Sequence, residues 1–256
     1  MSSEAEQDAG QGTEADRAER LTRVARDQSR PNMRPRDSAT LILIDRSGVV
    51  PKVLLGRRHD SHRFMPGKFV FPGGRVEPGD RSVPHAAPLH ERDTKRLMIA
   101  VKNPSPSKAA GFALAAIRET YEETGLMLGV PASAPMPKLP QEWHAFAEAG
   151  IMPDLSVIHF IGRAVTPPKR PRRFDSRFFA ADYTAVVRRD DGFVGPDSEL
   201  VEIVWMPIAD ARKLDIPGIT AIVLEDLADR IARGMTHDDP APFYRMVRKK
   251  FRREML

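Results

Sequence analysis

Glu119, Glu122 and Glu123 stand at positions i, i+3 and i+4 of an alanine-rich stretch that runs from Ala109 to Thr124 and stops at Gly125. That composition and the terminal glycine predict a helix. At roughly 100° per residue, Glu122 and Glu123 then fall within about 60° of the direction of Glu119 on one face. Like charges so placed repel and cost helix stability. A hard divalent cation such as Mg²⁺ or Mn²⁺, which takes oxygen ligands, would offset that repulsion. Taken alone, three glutamates are more commonly a solvated acidic face.

The upstream context points to chemistry. Phe71-Pro-Gly-Gly-Arg-Val-Glu-Pro-Gly-Asp80 places a glycine-rich turn directly after a short β-type run, Phe69-Val-Phe71. Such turns allow close backbone approach. Their exposed backbone groups can offer a carbonyl to a metal or N–H groups to a phosphate. Strand, glycine loop and glutamate helix in that order suit a metal-assisted pyrophosphate enzyme.

These residues resemble the box motif of the Nudix hydrolase superfamily, G-x5-E-x7-R-E-U-x-E-E-x-G-U, with U aliphatic. Gly74 matches the first glycine, and Arg118, Glu119, Glu122, Glu123, Gly125 and Leu126 match the second half in order. Asp80 stands where the pattern has Glu, and Thr120 stands at the first U position. The spacer from Asp80 to Arg118 is 37 residues instead of seven. The geometry survives if the insertion, about residues 81–107, loops out between turn and helix. Leu54-Leu-Gly-Arg-Arg58, Phe64-Met-Pro-Gly67, Val70 to Glu77 and Pro171 to Phe179 are further similar to the branch containing peroxisomal coenzyme A diphosphatases, whose members also carry an insertion in the box.

The resemblance implies an α+β fold, an α/β/α sandwich with a mixed central sheet, the glutamates on the box helix and extra C-terminal helices. It implies metal-dependent hydrolysis of a nucleoside-diphosphate derivative, with coenzyme A or acyl-coenzyme A leading and ADP-ribose, dinucleotides or a non-catalytic nucleotide sensor as alternatives. Glu119, Glu122 and Glu123 match the metal-binding and catalytic acids, with Mg²⁺ or Mn²⁺ as the cofactor. The Gly73 carbonyl is a further candidate ligand, and Arg118 matches the residue that orients the glutamates. The general base stays open among Glu119, Glu122 and two later acids, Glu199 and Glu202. Lys169, Arg170, Arg172 and Arg173 are candidates for binding substrate phosphates, though such a run is more often a solvated hairpin.

The rest of the sequence narrows the alternatives. There are no cysteines, which excludes a disulfide scaffold, a cysteine-ligated metal and a thiol nucleophile. His59 and His62 stand at H-x-x-H spacing, but there is no H-E-x-x-H motif, which argues against a zincin-type histidine metal site. The net charge of +5 resides in Tyr244–Leu256, with six Lys+Arg against one acid, so the body is balanced. A pI of 9.6 therefore does not predict a nucleic-acid-binding body. No apolar run approaches a membrane span, and the polar, acidic opening residues predict a cytoplasmic protein.

Three parts follow: a disordered leader over 1–36, with a frayed helix from Thr13 to Arg26 as an option within it, a single catalytic domain over 37–236, and a basic helical extension over 237–256. The leader is too poor in apolar residues to dock, so its removal is expected to change stability little. The insertion is expected to act as a lid or specificity loop, since long loops beside active sites commonly do. The oligomeric state is left open.

Overall fold

The strand Arg36–Asp45 (β1) lies at the centre of the architecture, and Leu41, Ile42, Leu43 and Ile44 are all fully buried on it. Alternate residues of a strand face opposite sides. Burial of consecutive ones therefore requires cover on both faces. Leu41 and Leu43 join a core with Phe112, Leu114 and Ile117, whereas Ile42 and Ile44 join a second core with Ile222, Leu224 and Leu227. This is the α/β/α sandwich expected from the sequence.

A computed structural model describes residues 14–23, 31–62 and 65–256. The strands after β1 are Lys52–Arg58 (β2), Phe69–Val70 (β3), Gly73–Arg75 (β4), Leu126–Leu128 (β5), Val130–Pro131 (β6), Ile151–Met152 (β7), His159–Val165 (β8), Phe174–Asp182 (β9), Val186–Arg189 (β10), Leu200–Pro207 (β11), Pro242–Val247 (β12) and Lys250–Met255 (β13). The helices are Glu14–Arg23 (α1), Glu91–Met98 (α2), Pro106–Thr124 (α3), His144–Ala149 (α4), Ile208–Ala211 (α5) and Gly218–Ala232 (α6). Among the described residues the main sheet has nine strands in the order β11-β2-β1-β9-β8-β12-β13, with β3 added to β2 and β4 to β1. It is mixed: β1 runs parallel to β9 and β8 parallel to β12, and the other pairs are antiparallel.

Two expectations are corrected. The basic C-terminal segment is a β-hairpin, not a helix, and it extends the main sheet through β8. Its turn residues Arg248 and Lys249 adopt φ of 48° and 68°. Two-residue hairpins need that conformation, and Asn-Gly usually marks it in a sequence. Lys and Arg carry no such mark.

The N-terminal stretch 1–36 is not uniformly unstructured. Helix α1 packs against β13 and α6 and buries Leu21 and Arg17. Arg17 donates to Asp226 Oδ1 and Asp229 Oδ2 at 2.6 Å each and to Glu225 Oε2 at 3.2 Å. Matched ion pairs hold the helix where apolar surface is scarce. Most of the leader, and Phe64 of the Phe64-Met-Pro-Gly67 motif, lie outside the described residues.

The insertion is packed rather than free. Val83, Leu89 and Leu97 sit in the core. The buried Asp93 accepts from the Phe160 N–H at 3.0 Å and pairs with His237 Nδ1 at 2.8 Å. His237 stacks between His90 and His159, with ring centroids 4.1 Å from each. These contacts tie α2 to β8.

Candidate active site

Helix α3 presents the glutamates. Ser105 caps it by accepting from the Lys108 N–H at 3.1 Å, and Pro106 opens its first turn. Gly125 closes it at φ 71°, and a β-carbon there would meet the Asp190 carbonyl at 2.1 Å, so only glycine fits. The alanine-rich face, including Ala113 and Ala116, is buried in the core, which turns the glutamates toward β4.

There the glycine turn meets the helix. The Gly73 N–H donates to Glu123 Oε2 at 3.1 Å, and a β-carbon on Gly74 would lie 2.3 Å from Glu119 Oε2. Gly73 is thus required by its close approach to the backbone of β1, and a side chain at Gly74 would displace the Glu119 carboxylate. The Gly73 group engaged with the cluster is its N–H, whereas the sequence had nominated its carbonyl.

Arg118 organises the cluster. It is 2% exposed and uses all five of its N–H donors. Two go to Asp80, from Nε at 2.9 Å and from Nη2 at 3.2 Å. Another from Nη2 reaches the Arg75 carbonyl at 2.8 Å, and Nη1 supplies Glu119 Oε1 at 2.9 Å and Glu122 Oε2 at 2.8 Å. Asp80 also accepts from Trp143 Nε1 at 3.0 Å and the Glu77 N–H at 2.8 Å. Burial opposes the charge of Arg118, but Asp80, Glu119 and Glu122 more than restore it and raise its pKa. Trp143 was not singled out by the sequence, because its contact depends on a separate segment folding over the turn.

The carboxylates carry unbalanced negative charge. Burial raises the pKa of Glu119 to about 7; Arg118 opposes this, and Glu122 and Glu199 add repulsion. Glu122 is raised mainly by burial, against the pull of Arg118. Glu123 is raised well above the usual carboxylate range by burial and then by Glu199 and Glu119, while the Gly73 N–H and Arg58 oppose. Among the described residues no three acidic or imidazole side chains are already gathered into a cation cage. The donor set is nonetheless all-oxygen, crowded and short of positive charge, which fits a hard divalent cation.

Gly73 and Gly74 border a cleft of about 650 Å³, also lined by Thr40, Arg58, Phe71, Phe174 and Glu199. Of the two later acids, Glu199 lines the cleft and pairs with Arg58 Nη2 at 3.0 Å, whereas Glu202 pairs with Arg57 at 3.3 Å and does not line it. Arg172 and Arg173 line the cleft, but Lys169 and Arg170 lie in the β8–β9 turn outside its lining. Arg173 is largely committed to the fold, donating to the Thr166 carbonyl at 3.0 Å, to Asn32 Oδ1 at 2.8 Å and to the Met33 carbonyl.

No family model matches the chain. It is similar to the acyl-coenzyme A diphosphatase NUDT19 of Gallus gallus, with 27% identity over 206 residues that cover 60% of this chain and 53% of the chicken protein. The Xenopus laevis protein of the same name is 34% identical over 98 residues, 31% of this chain and 26% of the frog protein. The chain thus spans about half the length, or less, of the curated relatives it matches. Among solved structures, a NUDIX hydrolase from Alicyclobacillus acidocaldarius is 29% identical with a TM-score of 0.57, covering 75% of this chain and 90% of its own. That likeness extends over nearly the whole of the bacterial enzyme, and the fold rejoins the two halves of the interrupted box around Arg118, so the chain has the Nudix fold and is similar to hydrolases of that superfamily.

Proposed function

We propose that the protein is a divalent-metal-dependent diphosphatase that hydrolyses coenzyme A or acyl-coenzyme A. The observation that carries the hydrolase reading is the convergence of Glu119 and Glu123 on the Gly73–Gly74 turn at the edge of an arginine-lined cleft. The coenzyme A assignment rests on the similarity to the two NUDT19 proteins, which are named acyl-coenzyme A diphosphatases.

Glu119, Glu122 and Glu123 would hold Mg²⁺ or Mn²⁺, which when bound neutralises phosphate oxygens and lowers the pKa of water. Arg118 sets the directions of Glu119 and Glu122 and is itself locked by Asp80. The water proton passes to a cluster carboxylate, for which Glu119, Glu122 and Glu199 are the candidates. Water oxygen bonds to one phosphorus, the bridging P–O bond breaks, and its electron pair leaves with the other phosphoryl group. Coenzyme A would give 3′,5′-ADP and 4′-phosphopantetheine. Arg172 is assigned to substrate phosphate; Arg173 braces the cleft wall, and Lys169 and Arg170 lie too far round the turn to line it.

A panel of coenzyme A, acetyl-coenzyme A, ADP-ribose and diadenosine polyphosphates, assayed with Mg²⁺ or Mn²⁺ by product chromatography, tests this. Coenzyme A esters are expected to be turned over fastest. Brisk turnover of ADP-ribose with none of coenzyme A would overturn the substrate assignment, and no turnover of any would favour the sensor alternative.

A further inference from the structure

We propose that Arg34 and Arg36, with Arg172 beside them on the cleft lining, form a second anion subsite that binds a phosphate monoester on the nucleotide half of the substrate. The proposal rests on the hydrolase reading above and assigns a role to the segment that precedes β1.

The cleft floor is built by strand register. Arg36, Ser38 and Thr40 alternate on one face of β1 and pair with Phe174, Ser176 and Phe178 of the parallel β9. On the other edge Thr40 pairs with Gly73 and Ser38 with Arg75. All eight of these residues line the cleft. One end of the floor is therefore Gly73, beside the glutamates, and the other is Arg36, four residues along β1. At ~3.3 Å per residue the two ends are about 13 Å apart, a separation suited to a nucleotide lying along the floor with a phosphate toward each end. A hydrogen bond of 2.7 Å joins Ser38 Oγ to Ser176 Oγ midway.

The charge at the far end is uncompensated. Among the described residues the only acid lining the cleft is Glu199, which Arg58 already engages. Among the described residues Arg34, Arg36 and Arg172 have no carboxylate partner, although all three line the cleft. Several cations without a counter-ion are costly to hold together unless an anion joins them, and guanidinium–phosphate contacts are strong and directional.

The segment is also held in place. Arg173 donates to Asn32 Oδ1 and the Met33 carbonyl, and the Arg36 N–H donates to the Arg173 carbonyl at 2.9 Å. Further upstream, α1 is anchored by Arg17. The two arginines thus project from a fixed wall, so little ordering entropy opposes ligand binding.

The test combines binding and kinetics on the full chain. Adenosine 3′,5′-bisphosphate and 5′-AMP are titrated by calorimetry into the wild type and an Arg34→Ala/Arg36→Ala variant, with Arg36→Lys as a milder change and circular dichroism to verify folding. The wild type is expected to bind the bisphosphate at least ~10-fold more tightly than AMP. The double variant should lose that preference while its affinity for AMP stays within about twofold, and Arg36→Lys should keep part of it. The ratio of kcat/KM for coenzyme A over dephospho-coenzyme A should fall about 10-fold, through KM. Equal wild-type affinities for the two nucleotides would overturn the subsite, as would a preference that survives in the double variant or an equal loss for both ligands. A bisphosphate preference without coenzyme A turnover would sink the coenzyme A assignment and leave the subsite standing.

Discussion

Asp80 and Arg118, 38 residues apart in sequence, form a buried ion pair with Nε 2.9 Å from Oδ1, at 1% and 2% side-chain exposure. Everything inserted between them leaves this joint intact, because the chain departs after Asp80 and returns through α2 before α3 begins. The insertion thus lengthens the box motif while the residues at its two ends stay paired.

That joint is expected to be structural as well as functional. Removing one partner of a buried pair costs about 3–5 kcal/mol, since the other charge is left unpaired. Arg118→Ala should lower Tm by many degrees in a thermal melt. Arg118→Lys should restore little, because an ammonium cannot supply five donors in a fixed fork.

Glu122→Gln and Glu123→Gln should each fold and lose at least ~100-fold in kcat, since each withdraws charge from the cation-binding cluster. Without metal both variants should match or exceed the wild-type Tm, because the native carboxylates are raised by burial and Glu123 also by its acidic neighbours. Near-normal turnover in both would remove the metal assignment.

Glu119 supplies a pH signature for cation binding. Its folded pKa of about 7 exceeds the ordinary 4.5, so the folded state binds more protons between these values. The stability it contributes is present at low pH and is lost as pH rises through about 7. Mn²⁺ should therefore raise Tm more at pH 8 than at pH 5.5, and Glu122→Gln should shrink that increment. An equal shift at both pH values would count against a carboxylate site.

His159 has the opposite sign. Burial, then His237 and Arg230, push its folded pKa down to about 4, from an ordinary 6.5. The unfolded chain binds the proton first, so the stability His159 contributes is present above about pH 6.5 and is lost as pH falls toward 4. On going from pH 7.5 to 4.5 the wild type should lose a few degrees of Tm more than His159→Leu does. Parallel pH profiles for the two proteins would contradict this.

Deleting residues 1–23 tests the docking of α1. Arg17 is buried against Glu225 and Asp226, so its loss removes a buried donor from both acids, which keep Arg212 and Arg253 as partners. The truncated chain and Arg17→Ala should both melt several degrees lower, reversing the expectation drawn from composition alone. An unchanged Tm would mean that α1 contributes nothing.

Local patterning was enough to place α3 within a few residues, since its alanine-rich run ends at a terminal glycine. The glutamate face of α3 and its partnership with the Gly73–Gly74 turn were also legible, because helical periodicity and glycine turns are properties of short segments. What depended on contacts distant in sequence was not. Trp143 reaches Asp80, Arg17 reaches Asp226, and Arg36 reaches the cleft through the register of β1 against β9. Composition marked the first leader residues and the basic tail as solvated, but charge counts cannot say whether an arginine meets water or a carboxylate. Burial of a charged side chain is decided by the partner that folding brings to it, and that partner is supplied by tertiary structure.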